Sequence, residues 1–252
     1  MTPLSVVIIT LNEERNIKRC LDSVKDVADE IIVVDTFSTD QTKQIALAAG
    51  AKVIDKAWEG YGNAKNTGAQ NASNNFILNL DADEALSDEL RKNISKVKTA
   101  GLNGVYTFNR LTNYCGKWIK HCGWYPDRKT RIYPKQDAEW NNQAVHEKLI
   151  FRKNIPVAFL KGALEHYSFY TVEEHKAKAK KYAELGAKKL LSRSRLSMFL
   201  KMVFSPPVRF VRTYIFQLGF LDGYYGWKIC SIMTWEVYMK YRIAFNFRQI
   251  IF

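Results

Sequence analysis

The first hundred residues alternate between two hydrophobic patterns. Ser5–Thr10 and Glu30–Asp35 are continuous runs rich in β-branched residues, which are typical of parallel strands covered on both faces. Between these runs, Glu13–Val24 carries apolar residues at helical spacing, and Asn12 precedes it as a predicted N-cap. The pattern therefore predicts a strand, a helix and a second, parallel strand.

The same alternation continues through Leu80. Ser38, followed three residues later by Gln41, has the form of a capping box and predicts a helix that ends at Gly50. The next predicted elements are a strand at Ala51–Ile54, a helix at Asn63–Ala72 and a strand at Phe76–Leu80. Strand–helix repeats of this length predict a doubly wound, mostly parallel α/β sheet flanked by helices.

The pattern changes after Gly104. The segment Tyr114–Pro134 is rich in aromatic and turn residues, which favours a hairpin or a flap over an active site. Pro206 and Pro207 are expected to break the chain before two apolar, aromatic segments. The elements predicted in this half are strands at Val105–Arg110, Ala144–Phe151 and Val157–Leu164, a helix at Thr171–Leu191, and the apolar segments Val208–Leu221 and Gly226–Phe245.

Composition narrows the class of protein. The chain has 252 residues, 47% hydrophobic and 25% charged, which suits one large α/β domain with an appendage and excludes a disordered or collagen-like chain. The four cysteines match no usual zinc spacing and are expected to be reduced thiols. No signal-peptide pattern and no apolar run long enough to span a bilayer occurs in the sequence. We therefore expect an intracellular protein whose membrane contact is peripheral.

The positive charge is concentrated in the last third of the chain. Lys and Arg total 38 against 25 Asp and Glu, a net charge of +13 that favours an anionic partner. Residues 172–252 hold 15 of these cations and only 5 of the acids. Lys201, Arg209 and Arg212 alternate with aromatic residues, as in segments that lie at an anionic membrane surface. The alternative is that these helices simply pack on the α/β domain.

Residues with candidate catalytic or binding roles lie at the ends of three predicted strands. Asp81 and Asp83 follow an apolar strand, so both can face the carboxyl edge of the sheet, where open α/β sheets bind ligands. Two carboxylates with no basic residue beside them favour a hard divalent cation, and a solvated acidic turn is the alternative. The first strand ends at Thr10 and the second at Asp35, whose carboxylate can accept hydrogen bonds from a base or a ribose.

Four ordered elements resemble the signature of family 2 glycosyltransferases, which have the GT-A fold. These elements are SVVIITLNEERNI at 5–17, VVDTFSTDQT at 33–42, Ala64–Gly68, and FILNLDADE at 76–84. Within the family, the chain is most similar to bacterial lipopolysaccharide core glucosyltransferases, through the LDADE form and through Val145–Glu147 and Gly219–Gly223.

The resemblance implies a Rossmann-like GT-A catalytic domain at residues 1–168, with a nucleotide-sugar half at 1–103 and an acceptor half at 104–168. A helical, basic and aromatic extension would follow at 169–252. The implied reaction is an inverting, metal-dependent transfer of glucose from UDP-glucose to a glycolipid such as the lipopolysaccharide inner core. The implied cofactor is Mg²⁺ or Mn²⁺, and the implied place is the inner face of the cytoplasmic membrane.

The resemblance also assigns roles at the donor site. Lys65 stands where the family commonly has Arg, so its expected diphosphate contact is that of a point charge and not a bidentate fork. The implied donor-site residues are Thr10, Asn12, Glu13 and Asp35 for the nucleotide base, Lys65 for the diphosphate, Asp81 for the ribose or the metal, and Asp83 for the metal.

Inversion by a single displacement requires a general base beside the acceptor hydroxyl. Glu147 is the first candidate, because it lies in the predicted acceptor half and matches the Val-His-Glu element of the family. His146 is the alternative base. If this segment is extended, the two side chains point to opposite faces and only one of them enters the cleft.

An aromatic and basic cluster completes the candidate site. Arg128 and Arg131 are expected to contact phosphate, and the aromatic members to stack on sugar rings, although the same residues would also suit a packed hairpin core. His166 follows a predicted strand; a structural role is favoured, and an approach to the metal or the acceptor is the alternative. The members of the cluster are Trp118, His121, Trp124, Tyr125, Asp127, Arg128 and Arg131.

Other functions are open at this point. Another lipid-linked or polysaccharide acceptor would leave the reaction unchanged. A nucleotidyltransferase would normally carry a glycine-rich loop after the first strand, and Thr10–Asn16 contains no glycine. A nucleic-acid-binding protein would suit the net charge, but no recognisable motif of that class is present, so no nucleic-acid partner is expected.

Overall fold

The computed structural model describes residues 1–141, 147–152, 154–190 and 193–247. The strands are β1 (Leu4–Thr10), β2 (Glu30–Asp35), β3 (Lys52–Asp55), β4 (Phe76–Asp81), β5 (Glu84–Leu86), β6 (Val105–Tyr114), β7 (Lys117–Ile119), β8 (Asp127–Pro134), β9 (Ala138–Trp140), β10 (Leu149–Phe151) and β11 (Val157–Phe169). The helices are α1 (Ile17–Val24), α2 (Thr42–Ala48), α3 (Tyr61–Gln70), α4 (Asp88–Ala100), α5 (Val172–Lys188), α6 (Arg195–Phe210) and α7 (Gly223–Phe247). A π-helical segment (Val211–Phe216) and a 3₁₀ turn (Gly219–Asp222) join the last two helices.

The chain forms two compact units. Unit 1 comprises Met1–Arg110 and Asp127–Tyr167, and unit 2 comprises Leu111–Pro126 and Ser168–Phe252. The second division falls after Tyr167, next to the predicted domain boundary at residue 168, which stays a prediction, whereas Leu111–Pro126, expected in the acceptor half, lies in unit 2. The aromatic and basic cluster is divided as a result, because its members up to Tyr125 lie in unit 2 and its members from Asp127 onward lie in unit 1.

The main sheet has a parallel half and an antiparallel half. Its strand order is β3-β2-β1-β4-β8-β6-β11-β5; β1 pairs in parallel with β2 and β4, whereas β8 is antiparallel to β4. Thr10 lies opposite Asp35 and Ile9 lies opposite Asp81, so the carboxyl ends of three strands meet at one edge. The predicted α/β class is confirmed, and so is the parallel arrangement of the first four strands.

Alternate residues of β1 pack into two separate cores. Val6 and Ile8 belong to a core with residues of α1 and α4, whereas Val7 and Ile9 belong to a core with residues of α3. A Cβ atom added at Gly68 would lie 2.2 Å from Val7 Cγ1, so only glycine allows α3 to approach β1 this closely. This packing holds the first turns of α3, which follow β3, near the carboxyl edge of the sheet.

Two predicted helix caps are wrong. α1 begins at Ile17 and α2 at Thr42, each later than expected. The side chains predicted to cap them bind the opposite loop instead: Asn12 Oδ1 accepts from the Thr39 amide at 2.8 Å, and Ser38 Oγ accepts from the Asn12 amide at 2.8 Å. Asn12 has a φ of 54°, a conformation that asparagine tolerates better than most residues. The loops after β1 and β2 are therefore tied to each other.

Unit 2 consists of the hairpin at 111–126 and the C-terminal helices. The predicted break at Pro206 and Pro207 is wrong, because both prolines lie inside α6. Pro206 is buried, and Phe210 stacks against Tyr214 with ring centroids 5.1 Å apart, so packing offsets the backbone hydrogen bonds that the prolines remove. Within the described ranges, none of the helices combines the length and the hydrophobicity that crossing a bilayer would require.

His175 should make the stability of unit 2 depend on pH. The side chain is buried, and its Nδ1 lies 3.0 Å from the Tyr114 hydroxyl. Burial lowers the pKa of His175 from its usual 6.5 to about 4, with a smaller effect of the Lys178 charge in the same direction. Because the unfolded chain binds this proton more tightly, the free energy of unfolding should fall by about 3 kcal/mol as the pH drops through this window.

Urea unfolding of the full chain at neutral and at mildly acidic pH measures this loss. His175→Phe keeps the ring among Trp124 and Phe169 and removes the titrating group. The variant should lose little stability on acidification. An equal loss in the wild type and in the variant would show that other groups control the pH dependence.

Candidate active site

Two buried polar atoms lack partners at the carboxyl edge of β1 and β2. Asp35 Oδ1 accepts from the Ser38 amide at 2.6 Å, but Asp35 Oδ2 and Thr10 Oγ1 have no hydrogen-bond partner among the described residues. Leaving such an atom unsatisfied costs about 1–3 kcal/mol each. These two residues lie opposite each other on paired strands. The pair is therefore suited to a ligand that donates to the carboxylate and also bonds the hydroxyl.

The two other predicted base contacts lie in the adjoining loop. Asn12 is exposed and bonds the loop after β2. The Glu13 amide donates to Thr42 Oγ1 at 2.8 Å, and Glu13 Oε2 accepts from the Asn16 side chain at 2.7 Å. In this structure both residues hold the loop at the edge of the sheet, and their contact with a nucleotide stays a prediction.

Asp81, at the end of β4, lies between two cations. Its Oδ1 is 3.6 Å from Lys65 Nζ and its Oδ2 is 3.1 Å from an Arg131 nitrogen. Burial raises the pKa of the Asp81 carboxyl, but the charges of Lys65, Arg131 and Arg110 outweigh that effect and hold the pKa well below its usual value. Asp81 is therefore an anion at any physiological pH.

The expectation that Asp81 and Asp83 have no basic neighbour is wrong. The partners come from α3, β8 and β11, which lie far away in the sequence. Asp83 Oδ2 lies 3.1 Å from His166 Nε2, and the Asp83 carbonyl accepts from the Tyr167 amide at 2.9 Å. His166, for which a structural role was favoured and an approach to the metal was the alternative, thus lies at the acidic motif.

Lys65 joins the predicted base to the predicted metal site. Its side chain is only 3% exposed, and its Nζ lies 2.8 Å from Glu147 Oε1 and 4.5 Å from the centroid of the Trp140 ring. Glu147 therefore lies at the same edge as Asp81, and Lys65 makes ion pairs with both. His146, the alternative base, is outside the described residues.

The two predicted phosphate contacts differ in their surroundings. Arg131 is buried and makes ion pairs with Asp81 and Glu84, which raise the pKa of the guanidinium although burial lowers it. Arg128 is exposed, and its guanidinium carbon lies 4.7 Å from the centroid of the Phe159 ring. Arg131 holds Asp81 in place, whereas Arg128 is accessible to a phosphate on unit 1.

Sequence reasoning missed three residues of this site. Glu84 is buried and accepts from Arg131 and Arg110. Trp140 stacks with Lys65 and donates from Nε1 to Asn79 Oδ1 at 2.9 Å. Glu84 is the last residue of the LDADE motif, so the motif could have identified it as a site residue. No local pattern pointed to Trp140 or to Asn79.

The residues present fit a divalent cation whose shell is completed by substrate. The described residues contain no group of three or more His, Cys, Asp or Glu side chains arranged for a metal ion. Asp83 and His166 offer two ligand atoms, and the buried Asp81 Oδ1 accepts no hydrogen bond. Mg²⁺ and similar ions in phosphate sites commonly take one or two carboxylates and fill the remaining positions with phosphate oxygens and water.

A family model and similar proteins both identify this chain as a glycosyltransferase. The family model described as glycosyl transferase family 2 matches residues 5–157. An uncharacterized glycosyltransferase of Rickettsia prowazekii is 32% identical over 250 residues, which cover 95% of this chain and 86% of the relative. The lipopolysaccharide core biosynthesis glycosyltransferase LpsC of Rhizobium meliloti is 26% identical over 261 residues, which cover 96% of this chain and 94% of that protein.

Solved structures give weaker likenesses. TarS 1–349 of S. aureus in complex with UDP superposes with a TM-score of 0.49 and 17% identity, over 96% of this chain and 92% of that chain. Glucosyl-3-phosphoglycerate synthase of Mycobacterium tuberculosis, in complex with Mn²⁺, UDP and its product, gives a TM-score of 0.37 and 26% identity over 44% of each chain. With scores this low, neither likeness bears on the site or the substrate of this chain.

Proposed function

The chain belongs to glycosyl transferase family 2, and from that premise we propose that it transfers glucose from UDP-glucose to a glycolipid such as the lipopolysaccharide inner core. The observation that carries the proposal is the group of Lys65, Asp81, Asp83 and Glu147 at the carboxyl edge of the sheet. Similarity to LpsC over most of both chains supports the glycolipid acceptor.

The donor would lie along the carboxyl ends of β1, β2 and β4. Thr10 Oγ1 and Asp35 Oδ2, which the described part of the chain leaves without partners, would bond the polar edge of the uracil ring. The diphosphate would lie toward Lys65 and the acidic motif. A Mg²⁺ or Mn²⁺ ion held by Asp83 and His166, beside Asp81, would stabilise the negative charge that the nucleoside diphosphate gains on leaving.

Glu147 would act as the general base of an inverting displacement. Its carboxylate takes the proton of the acceptor hydroxyl while that oxygen bonds to the anomeric carbon, and the bond from this carbon to the diphosphate oxygen breaks with its electron pair. In the structure Glu147 is paired with Lys65 at 2.8 Å. A bound diphosphate would compete for Lys65 and free the Glu147 carboxylate to face the acceptor hydroxyl. The donor would thus prepare the base.

A membrane-linked acceptor places the enzyme at a lipid surface. Unit 2 exposes large apolar side chains in the segment that joins α6 and α7, among them Ile215, Phe216, Phe220 and Leu221. Exposed apolar residues of this kind mark interaction surfaces. We expect this surface to contact the inner face of the cytoplasmic membrane, without a spanning helix.

Ligand-induced stabilisation tests the donor site against the nucleic-acid alternative. UDP with Mn²⁺ at about 100 times its dissociation constant should stabilise the folded protein by about 2.7 kcal/mol. For a chain of this size the shift in Tm is about 5–10 °C. A short oligonucleotide should give no shift. Stabilisation by the oligonucleotide and none by UDP would replace the glycosyltransferase proposal with nucleic-acid binding.

A further inference from the structure

A groove of about 470 Å³ runs between α6 and α7 in unit 2. None of its lining residues belongs to the candidate active site, and the proposed reaction gives the groove no role. Its walls combine long cationic side chains with apolar ones from two facing helices. The lining residues that matter here are Lys201, Phe204, Val208, Arg209, Arg212 and Lys240.

The spacing along the chain places the cations and the apolar residues on one helical stripe. Lys201, Phe204, Val208 and Arg209 recur at intervals of three, four and one residues, and Arg212 follows in the π-helical segment. Lys240 faces them from α7, where its ammonium lies 4.9 Å from the centroid of the Tyr241 ring. The groove therefore carries four positive charges. Three lie on the wall formed by α6 and the π-helical segment, and the fourth lies on α7.

These charges are not neutralised within the part of the chain that the structure describes. No carboxylate there lies within ion-pair distance of Lys201, Arg209 or Arg212, and Arg209 Nε is buried without a hydrogen-bond partner. Burial raises the pKa of the Glu236 carboxyl, and the nearby charges of Lys240 and Arg209 offset this rise only in part. Cationic side chains that no carboxylate pairs with favour an anionic ligand.

The apolar side chains of the groove are open to solvent. Phe204 is 64% exposed and Val208 is 65% exposed, and Leu200 beside them is 45% exposed. A free phosphate or a sugar nucleotide would leave these side chains in water. A ligand that carries both a phosphate and a hydrocarbon chain would satisfy the cations and cover the apolar surface together.

We propose that the groove between α6 and α7 binds a single anionic glycerophospholipid, with its phosphate at Arg209 and Arg212 and the start of an acyl chain along Phe204 and Val208. The proposal rests on the membrane contact of the proposed function and adds to it a defined lipid site. Diffuse attraction to a charged surface requires neither a groove nor a fixed stoichiometry, whereas a defined site has both.

Calorimetric titration with short-chain phosphatidylglycerol, kept below its micelle concentration, tests the site. We expect one lipid to bind per chain. Arg209→Gln with Arg212→Gln should weaken binding roughly 30-fold, since each cation near an anionic lipid contributes about 1 kcal/mol. The matched pair Lys180→Gln with Lys181→Gln removes the same charge from exposed positions of α5 and should leave the affinity within about threefold.

A second variant guards against misfolding of the first. Phe204→Ser changes an exposed side chain and should weaken binding of the lipid, whereas Leu185→Ser, at a 43% exposed position of α5, should not. If the arginine double variant and the lysine double variant weaken lipid binding equally, the lipid is held by diffuse attraction and not at a defined site. Equal binding of phosphatidylcholine, or of glycerophosphoglycerol or inorganic phosphate without chains, would also overturn the proposal.

The response to UDP and Mn²⁺ separates this proposal from the proposed function. If the lipid does not bind while the UDP response persists, only the groove proposal fails. If the UDP response is absent in the wild type, the glycosyltransferase proposal fails, whatever the lipid titration shows.

Discussion

Asp83→Asn should lower kcat/KM for sugar transfer by at least about 10³-fold, because it removes the charged oxygen that faces His166 at the proposed cation site. The amide has nearly the same size, and the Asp83 backbone carbonyl keeps its bond from the Tyr167 amide. We therefore expect the variant to fold with little loss of stability. Transfer measured as UDP release in the presence of acceptor gives the rate.

Asp22→Asn is the matched control for this substitution. Asp22 is an exposed residue of α1 whose carboxylate pairs with Lys18 of the same helix at 2.8 Å. Surface pairs of this kind contribute little, so the control should transfer sugar at the rate of the wild type. Normal turnover of Asp83→Asn would contradict the metal assignment.

Glu147→Gln should reduce transfer by about 10²–10⁴-fold without weakening the affinity for UDP. Glutamine cannot take the proton of the acceptor hydroxyl. It also ends the ion pair with Lys65, so Lys65 Nζ becomes more available to the donor diphosphate. Calorimetric titration with UDP and a transfer assay at saturating donor separate the two effects.

Glu139→Gln is the control for Glu147. Glu139 lies on the neighbouring strand β9 and pairs at the surface with Arg152 at 2.9 Å. This variant should keep both donor binding and transfer. If Glu147→Gln retains full transfer while its control does the same, the base lies elsewhere, and His146→Gln becomes the variant to measure.

The sheet and the family could be predicted from the sequence because both depend on local patterns. The runs at Ser5–Thr10, Glu30–Asp35 and Phe76–Leu80 carry the alternation of strands and helices, and the structure adds at most one residue at either end. Four short motifs in a fixed order were enough to identify the family, which the family model confirms. Position at strand ends then placed Thr10, Asp35 and Asp81 on one edge.

The partners of those residues could not be predicted, because they come from distant segments. Lys65 and Glu147 are 82 positions apart, and His166 and Asp83 are 83 apart. Nothing in the local sequence indicates that three distant segments meet at the acidic motif. These segments are α3, β11 and the stretch that follows β9. The expectation of two carboxylates without basic neighbours was wrong for this reason.

The same cause explains the errors in local structure. Ser38 and Asn12 have the residue types of helix caps, but hydrogen bonds between the two loops replace the capping bonds. Pro206 and Pro207 normally end a helix, yet packing within unit 2 keeps α6 continuous through both of them. In each case a tertiary contact outweighs a local preference of about 1–3 kcal/mol.

The central claim is that the carboxyl edge of β4 binds a divalent cation together with a nucleoside diphosphate. Anomalous diffraction from crystals grown with UDP and Mn²⁺ tests it most directly. The account predicts one manganese ion, located by its anomalous peak, that is bound to Asp83, with the diphosphate between this ion and Lys65. A well-ordered UDP elsewhere on the protein, or a manganese peak remote from Asp83, would contradict it.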